Sequence, residues 1–531
     1  DPEAKAEADR LHDQVMNQVL SSGKPQEKEE RERLERRDRR EKEWFVRRAQ
    51  AVYRAMWSFL QTYTYSILQQ DGQPTSQTAW YVNDEVGSAL AHSEDPNVVC
   101  VPFIFSRGAS GMIPYSVFFP IKDMEAGELM TVDLRPKNLT RTSDQEAYLL
   151  AFENRLTTAI DKQPLIDLYR AHQASLEQRQ PPSSTWTSDE AKKALLKHTK
   201  TKTSETMTVY TDAPFVQQFL KLDHVKFTDD LSRADIIWIS QDFSEWDTLS
   251  AQQTINQLPN ERCLTFKHQL AQLMQETLGS PGWFLPTYNV MSQLAELAGH
   301  YLSEETRLWI TKPWNMARGL GLDITDNLAQ LIRQHDHPIP KIAQPYLTRP
   351  CLYNGKKFDL RYIVLVRQTE PNLVALVYNM FWTRLANKKF SLDQLDDYEC
   401  QFTVMNYTDF EMTQLDHQSF IRNIEKQHQV QWEPVQQAIY GAIKDVLMTA
   451  VHSSQPLGLL GADKGKADTF AMYGFDVMLT DDFKPIVVEV NFSPDCTRPC
   501  QYDPEFVNNL FSVVDSRFDR LEEGLKAFTV L

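Results

Sequence analysis

The chain has 531 residues, 42% of them hydrophobic, and carries 72 acidic against 56 basic side chains, a formal net charge of −16. That length allows two to four domains and a large core. The acidic balance argues against general nucleic-acid affinity, and no apolar run is long enough to suggest a membrane span.

The chain begins at Asp1 rather than Met, as expected of a fragment, and no signal peptide is legible. The six cysteines are Cys100, Cys263, Cys351, Cys400, Cys496 and Cys500. Only Cys496 and Cys500 lie close together, and they lack histidine neighbours, so free thiols in a reducing cytosol are expected rather than a zinc site.

In chain order, Lys24 to Arg48 is a run of mixed charge without Gly or Pro after Pro25, which predicts a solvated helix. Arg36, Arg37, Arg39, Arg40, Arg47 and Arg48 dominate its second half and offer a contact for an acidic partner. The helix is expected to turn amphipathic through Val52, Met56, Phe59 and Leu60, dock on a core, and end at Gly72-Gln73-Pro74. Trp80 to Leu134 is β-rich, with apolar runs at Val99–Ser106, Ile113–Met124 and Glu128–Leu134. Pro181-Pro182-Ser183-Ser184 reads as a linker, and Lys192 to Lys202 as a second basic cluster. From Thr206 strands and helices alternate. Met207–Thr211 and Ala234–Ser240 resemble buried strands, and Glu261 to Leu278 a helix with Leu264, Leu270, Leu273 and Met274 as its core stripe. This half therefore reads as α/β or α+β layers.

The chemistry-bearing residues fall in that half. Lys312 ends a strand at Trp309-Ile310-Thr311-Lys312, and a loop with Arg318, Gly319 and Gly321 follows. Glycines let a backbone approach phosphate closely, while Lys and Arg neutralise its charge. The spacing is neither a Walker loop nor a Rossmann fingerprint. In Lys357-Phe358-Asp359-Leu360-Arg361 the charged residues alternate with apolar ones, so on a strand all three share a face. The Ile363–Val366 continuation carries that strand into a core and leaves its charged end at a cleft mouth. Near the C-terminus, Tyr473–Leu479 and Ile486–Asn491 read as neighbouring strands joined by a polar turn. That pairing brings Asp476, Glu489 and Asn491 towards one point, as three hard oxygen ligands suited to magnesium and nucleotide phosphate.

The ordered set Lys312…Arg318-Gly319-x-Gly321, Gln344-x-Tyr346-Leu347, Lys357–Arg361, Arg384, Asn406, Asp476 and Glu489-x-Asn491 resembles the tubulin tyrosine ligase-like family, an ATP-grasp group. The resemblance covers about Thr206 to Pro504. It implies that Lys312, Arg318 and Lys357 hold ATP phosphates, that Gln344, Tyr346 and Leu347 flank adenine, and that Asp359 and Asn406 belong to the nucleotide pocket. It implies that Arg361 and Arg384 grip the γ-phosphate and the carboxylate under attack, with Lys357 beside them, and that Asp476, Glu489 and Asn491 hold Mg2+. The implied reaction phosphorylates a carboxylate with ATP and lets an amine attack the acyl phosphate, so positioning and charge neutralisation dominate.

Ala91-His92-Ser93-x-x-Pro96-Asn97 and Ala126–Leu134 resemble a SET methyltransferase domain. Ala91 replaces that family's Asn, and Leu134 replaces the Tyr its chemistry uses, so no methyl transfer is expected. The expected fold is an α/β and α+β multidomain chain, a β-rich SET-like domain followed by a tubulin tyrosine ligase-like module with an ATP-grasp fold. Residues 1–70 would form the helical arm, 71–200 the SET-like domain and linker, 205–305 the first part of the ligase-like module and 306–531 its ATP-grasp part. Expected partners are tubulin, through its C-terminal tail or dimer, and a free amino acid, with tyrosine favoured over glutamate or glycine. No membrane or nucleic acid is expected. A cytoplasmic, cytoskeleton- or microtubule-associated location follows, with a nuclear pool as the alternative. Pro345, Met405, Trp314 and Met316 depart from the family pattern, which keeps a tubulin-binding regulator without turnover as the competing reading.

Overall fold

The structure is a computed structural model. It describes residues 25–68, 73–106, 112–179, 187–197, 206–303, 308–316, 319–403, 415–458, 467–515 and 520–531. The chain divides into two compact units, one reaching Leu134 and taking in Ala151–Thr158, the other made of Arg135–Leu150 and Ala159–Leu531. Arg318, Asn406, Met405, the Pro181–Ser184 linker and the end of the second basic cluster, His198 to Lys202, lie outside the described residues.

In the first unit the charged helix runs Pro25–Met56. It does not continue to Gly72 as the amphipathic pattern suggested. Val52 is exposed rather than docked, and β1 (Leu60–Leu68) pairs antiparallel with β2 (Pro74–Val82) in an unbroken register from Leu60↔Val82 to Leu68↔Pro74. The alternation Thr62-Tyr63-Thr64-Tyr65 explains the change, because β-branched and aromatic side chains favour a pleated surface over a helix. A short parallel pair, β3 (Ala91–His92) with β6 (Thr131–Val132), and an antiparallel hairpin, β4 (Val98–Ser106) with β5 (Met112–Pro120), complete the unit. Its central core is small, built from Leu90, Val98 and Val132 with Phe118, Met124 and Leu134 packed against them.

Here the residues of the SET-like pattern bind backbone. Asn97 accepts from Thr131 N at 2.8 Å and donates to Leu129 O at 2.9 Å. His92 Nδ1 accepts from Leu134 N at 3.2 Å. These bonds fasten the segment 129–134 to β3 and the start of β4.

Among the described residues the second unit holds three sheets. The first orders β18 (Asp468–Thr469), β10 (Thr254–Ile255), β9 (Ile236–Trp238), β7 (Met207–Thr211) and β8 (Val225–Phe227), with all its pairings parallel. Tight burial on both faces suits such strands. The second is antiparallel and orders β11 (Tyr288–Asn289), β14 (Lys341–Pro345), β12 (Trp309–Pro313) and β13 (Asp323–Thr325). The third orders β20 (Pro485–Phe492), β19 (Ala471–Leu479), β16 (Lys356–Gln368), β17 (Val374–Leu385) and β21 (Phe528–Val530), with β15 (Leu352–Tyr353) on β16. The predicted helix over Glu261–Leu278 is two helices, Arg262–Thr265 and Lys267–Thr277, because Phe266 takes an extended conformation between them. Its predicted stripe of Leu264, Leu270, Leu273 and Met274 is buried.

The third sheet is covered on both faces. Phe358, Leu360, Tyr362, Val364 and Val366 of β16 enter one core with the helices His417–His428 and Trp432–Val451. Ile363 and Leu365 enter the other, with the helix Phe506–Val514. By the period of two, Lys357, Asp359 and Arg361 share the face of Ile363 and Leu365. On β19 the same logic puts Tyr473, Phe475 and Val477 in the first core and leaves Asp476 opposite.

Candidate functional site

The charged ends of these strands meet by register. Asp359 pairs with Arg384, Arg361 with Asp476, Asp476 with Glu489 and Gly474 with Asn491. A bulge makes the last two pairings possible. Val477 opposes Val487 while Asp476 opposes Glu489, so Val488 is the extra residue. Without it a strict alternation from Val487 would turn Glu489 into the core; with it Val490 fills the core and Glu489 faces the charged cluster. Gly474 has a steric reason, since a Cβ there would press on Arg361 Cδ and Pro494 Cβ, each at 3.0 Å.

These side chains line a cavity of about 470 Å³. Of the predicted site residues, Lys312, Gly319, Gln344, Tyr346, Leu347, Lys357, Asp359, Arg361, Arg384, Asp476, Glu489 and Asn491 lie in its wall. Gly321 is not in the wall and instead turns the loop with a φ of 68°. Arg318 and Asn406, outside the described residues, receive no placement.

The cavity wall carries both charged and apolar side chains. Among the charged ones Arg384 bridges two carboxylates, with Nε 2.6 Å from Asp359 Oδ1 and Nη2 2.7 Å from Asp476 Oδ2. Arg361 grips both oxygens of Asp476, Nη2 lying 2.9 Å from Oδ2. Burial alone would raise the Asp476 pKa, but Arg384 and Arg361 outweigh it and hold the carboxyl well below the usual range. Asp359 goes the other way, because its burial and the nearby Asp476 charge prevail over Arg384. Burial pushes Lys312 down to about 8, against the pull of Glu489, and pushes Lys357 down to about 7 with help from Lys312. Two buried amines whose desolvation outweighs the nearby carboxylates are an arrangement that a polyanion would relieve.

Ile310, Leu285, Leu322, Leu347, Met478 and Ile486 are apolar parts of the wall. Gln344 donates to Thr287 Oγ1 at 2.6 Å, and the Thr287 hydroxyl donates onward to Leu285 O. Gln344 must therefore present its NH2 to Thr287, and its buried Oε1 accepts no hydrogen bond among the described residues. Gln344 as a residue lines the cavity, while this oxygen is buried within the wall. Pro345 follows with no N–H of its own.

Sequence reasoning missed several wall residues. Lys267 Nζ lies 2.9 Å from Glu489 Oε2 and donates to Met316 O at 3.2 Å. A lone lysine opening an amphipathic helix carries no motif that could have revealed it. Gln401, Phe402 and Thr403 also face the cavity, and the Thr403 hydroxyl donates to Asp359. The Tyr398 hydroxyl donates to Gly319 O, and a Cβ at Gly319, where φ is 69°, would collide with that hydroxyl.

For a divalent cation the donor set is two carboxylates and one amide. Among the described residues no three His, Cys, Asp or Glu side chains gather to hold a metal. Asn491 turns its Nδ2 to Gly474 O and Asp476 Oδ2, each at 3.2 Å, so its Oδ1 is the atom left for a ligand. All-oxygen donors of this kind suit magnesium held jointly with phosphate.

Comparison with known proteins adds the following. The family model described as Tubulin-tyrosine ligase family matches residues 247–518, and that of the Tubulin tyrosine ligase SET-like domain matches residues 45–145. The chain is 33% identical to tubulin–tyrosine ligase-like protein 12 of Caenorhabditis elegans over 88% of this chain and 72% of that protein. It is 32% identical to the protein of the same name in Homo sapiens, over 87% of this chain and 72% of that one. A tubulin glycylase 3E from Tetrahymena thermophila is 24% identical over 46% of this chain and 19% of its own length.

Proposed function

Since this chain belongs to the tubulin–tyrosine ligase family, we propose that it is an ATP- and Mg2+-dependent ligase that joins an amino acid, tyrosine, to a tubulin C-terminal tail through an acyl phosphate. The observation that carries this reading is the cavity that gathers Lys267, Lys312, Lys357, Arg361 and Arg384 with Asp476, Glu489 and Asn491 in one wall. Gln344, Tyr346 and Leu347 would receive the adenine, and Asp359 the rest of the nucleoside. Lys312, Lys357 and Arg318 would neutralise its phosphates. Arg361 and Arg384 would orient the γ-phosphate and the carboxylate under attack. Asp476, Glu489 and Asn491 would hold Mg2+, which when bound supplies charge neutralisation at the phosphate oxygens. Such a reaction needs placement and charge rather than a protein nucleophile.

The family, with tubulin in the names of its members, makes the tail the proposed substrate. The tail is acidic and so is this chain, hence local basic clusters must guide it. Arg36, Arg37, Arg39 and Arg40 are exposed on the Pro25–Met56 helix, and Lys192 and Lys193 on the helix Ser188–Lys197.

A second reading has its own observation. Asp476 is engaged by two guanidinium groups and Glu489 by Lys267, so cations of the chain already neutralise the carboxylates that would bind metal. A protein that kept this arrangement throughout would bind tubulin and regulate its modification without turnover. Mg-ATP-dependent incorporation of labelled tyrosine into detyrosinated tubulin, with glutamate and glycine competing, separates the two. The ligase reading requires incorporation that Asp476→Asn with Glu489→Gln abolishes. Absence of incorporation for every amino acid, with tubulin binding intact, establishes the regulator.

A further inference from the structure

Lys357 is buried at the cavity wall with its ammonium 4.3 Å from the Tyr346 ring centroid and 5.5 Å from that of Phe390. Its Nζ donates to the Tyr346 hydroxyl at 2.8 Å. That hydroxyl donates in turn to Gln401 Oε1 at 2.6 Å. Gln401 Nε2 donates to two backbone carbonyls, Ser391 O at 2.7 Å and Gln394 O at 2.9 Å.

The direction of this chain follows from its far end. Ser391 O and Gln394 O can only accept, so the NH2 of Gln401 must face them and its Oε1 must face Tyr346. An amide oxygen only accepts, so Tyr346 must give its one proton to Gln401. The Tyr346 oxygen then has lone pairs alone to offer Lys357: a neutral amine could still donate an N–H to it, but its own lone pair would find no donor there, and the charged ammonium is the stronger donor. Hydrogen bonds in such a chain polarise one another when water is excluded, and Gln401 is 1% exposed.

We propose that Gln401 is a positioning residue: it fixes the direction of the Tyr346 hydroxyl and so favours the ammonium form of Lys357, whose remaining N–H bonds can face the anionic oxygens of a polyphosphate. The polyphosphate rests on the nucleotide reading above, while the relay itself does not. It acts against burial and against the neighbouring Lys312 on β12, and with Asp359 on β16, whose own charge is shared with Arg384 on β17. Those are the charged groups that bear on Lys357. The Tyr398–Thr403 segment thus ties three walls of the cavity together, since Tyr398 binds Gly319 and Thr403 binds Asp359.

The test is a titration of Lys357 in nucleotide-free protein, by NMR of its labelled side chain, assigned by Lys357→Met. Gln401→Met keeps the side-chain length and removes the acceptor; Tyr346→Phe removes one oxygen and covers the case in which the first variant fails to fold. Each is expected to lower the Lys357 midpoint by about one pH unit, and the double variant by no more than either alone, because both break one chain. A midpoint within about 0.3 unit of the parent in either variant, or additive shifts in the double, overturns the relay. MgATP binding is measured alongside. In Gln401→Met the loss of affinity on raising pH should begin about one unit earlier than in the parent. A parent protein that binds no MgATP removes the nucleotide reading, and the titration still decides the relay.

Discussion

The two units use polar side chains in opposite ways. In the first, the residues of the SET-like pattern hold their own backbone: His92 and Asn97 accept from the N–H groups of Leu134 and Thr131. In the second, the polar residues at the end of β16, β17, β19 and β20 sit on a sheet already secured by two apolar cores. As paired groups they add little net stability beyond the cores, although removing one partner would strand a buried charge, and they gather charge around a cavity, as with Lys312 and Lys357. A polar residue paired to backbone is a fastening, and one held against its electrostatic preference beside a cavity is a candidate binding group.

Substitutions break or sharpen that contrast. The largest effect is expected from Arg384→Ala. It leaves Asp359 and Asp476 facing each other with one less cation, which should cost about 3 kcal/mol in chemical denaturation and abolish any ligase activity. In the first unit, Asn97→Ala should destabilise the 129–134 segment by about 2 kcal/mol, read as roughly thirtyfold faster amide exchange there. MgATP affinity should not change; if it does, the units are not independent in function.

The pH dependence is the third probe. Lys312 and Lys357 are depressed to about 8 and about 7 from 10.5. The empty folded protein therefore binds fewer protons than the unfolded chain between those values and 10.5, so stability rises with pH across that window. Polyphosphate binding has the reverse sign, because it needs both amines charged. MgATP affinity should fall on the order of several hundredfold from pH 7 to pH 9, with proton uptake on binding that varies with buffer ionisation heat.

The last probe concerns Glu261, buried beneath the same sheet and pushed by that burial up to about 8 while it accepts from Leu258 N and the Tyr473 hydroxyl. Folding holds its proton between about 4.5 and 8, so the stability it lends falls as pH rises through that window. Glu261→Gln keeps the acceptor. Its effect on stability should become more favourable by about 3 kcal/mol between pH 6 and pH 9 in thermal denaturation.

Much of this was legible in the sequence, and the exceptions have causes. Alternation in Lys357–Arg361 gave the correct shared face, because one apolar core fixes the parity of β16. The Asp476, Glu489 and Asn491 grouping was also legible, yet its mechanism was not. The bulge at Val488 depends on which valines fill the core, which Ile486-Val487-Val488 cannot tell. The helix stop at Met56 was missed because Phe59 and Leu60 fit a helical stripe as well as a strand start. Lys267 and Gln401 were invisible for another reason. Both act by reaching residues far away in sequence, Glu489 and Tyr346, and no local pattern records that.

The central claim is that the charged end of the β16–β19 sheet is a nucleotide site. Calorimetric titration of the full chain with MgATP, beside Lys312→Met and Lys357→Met, tests it most directly. The account predicts saturable binding that each variant weakens at least about tenfold with the fold retained. Absence of binding in the parent, or binding as tight as the parent's in both variants, contradicts it.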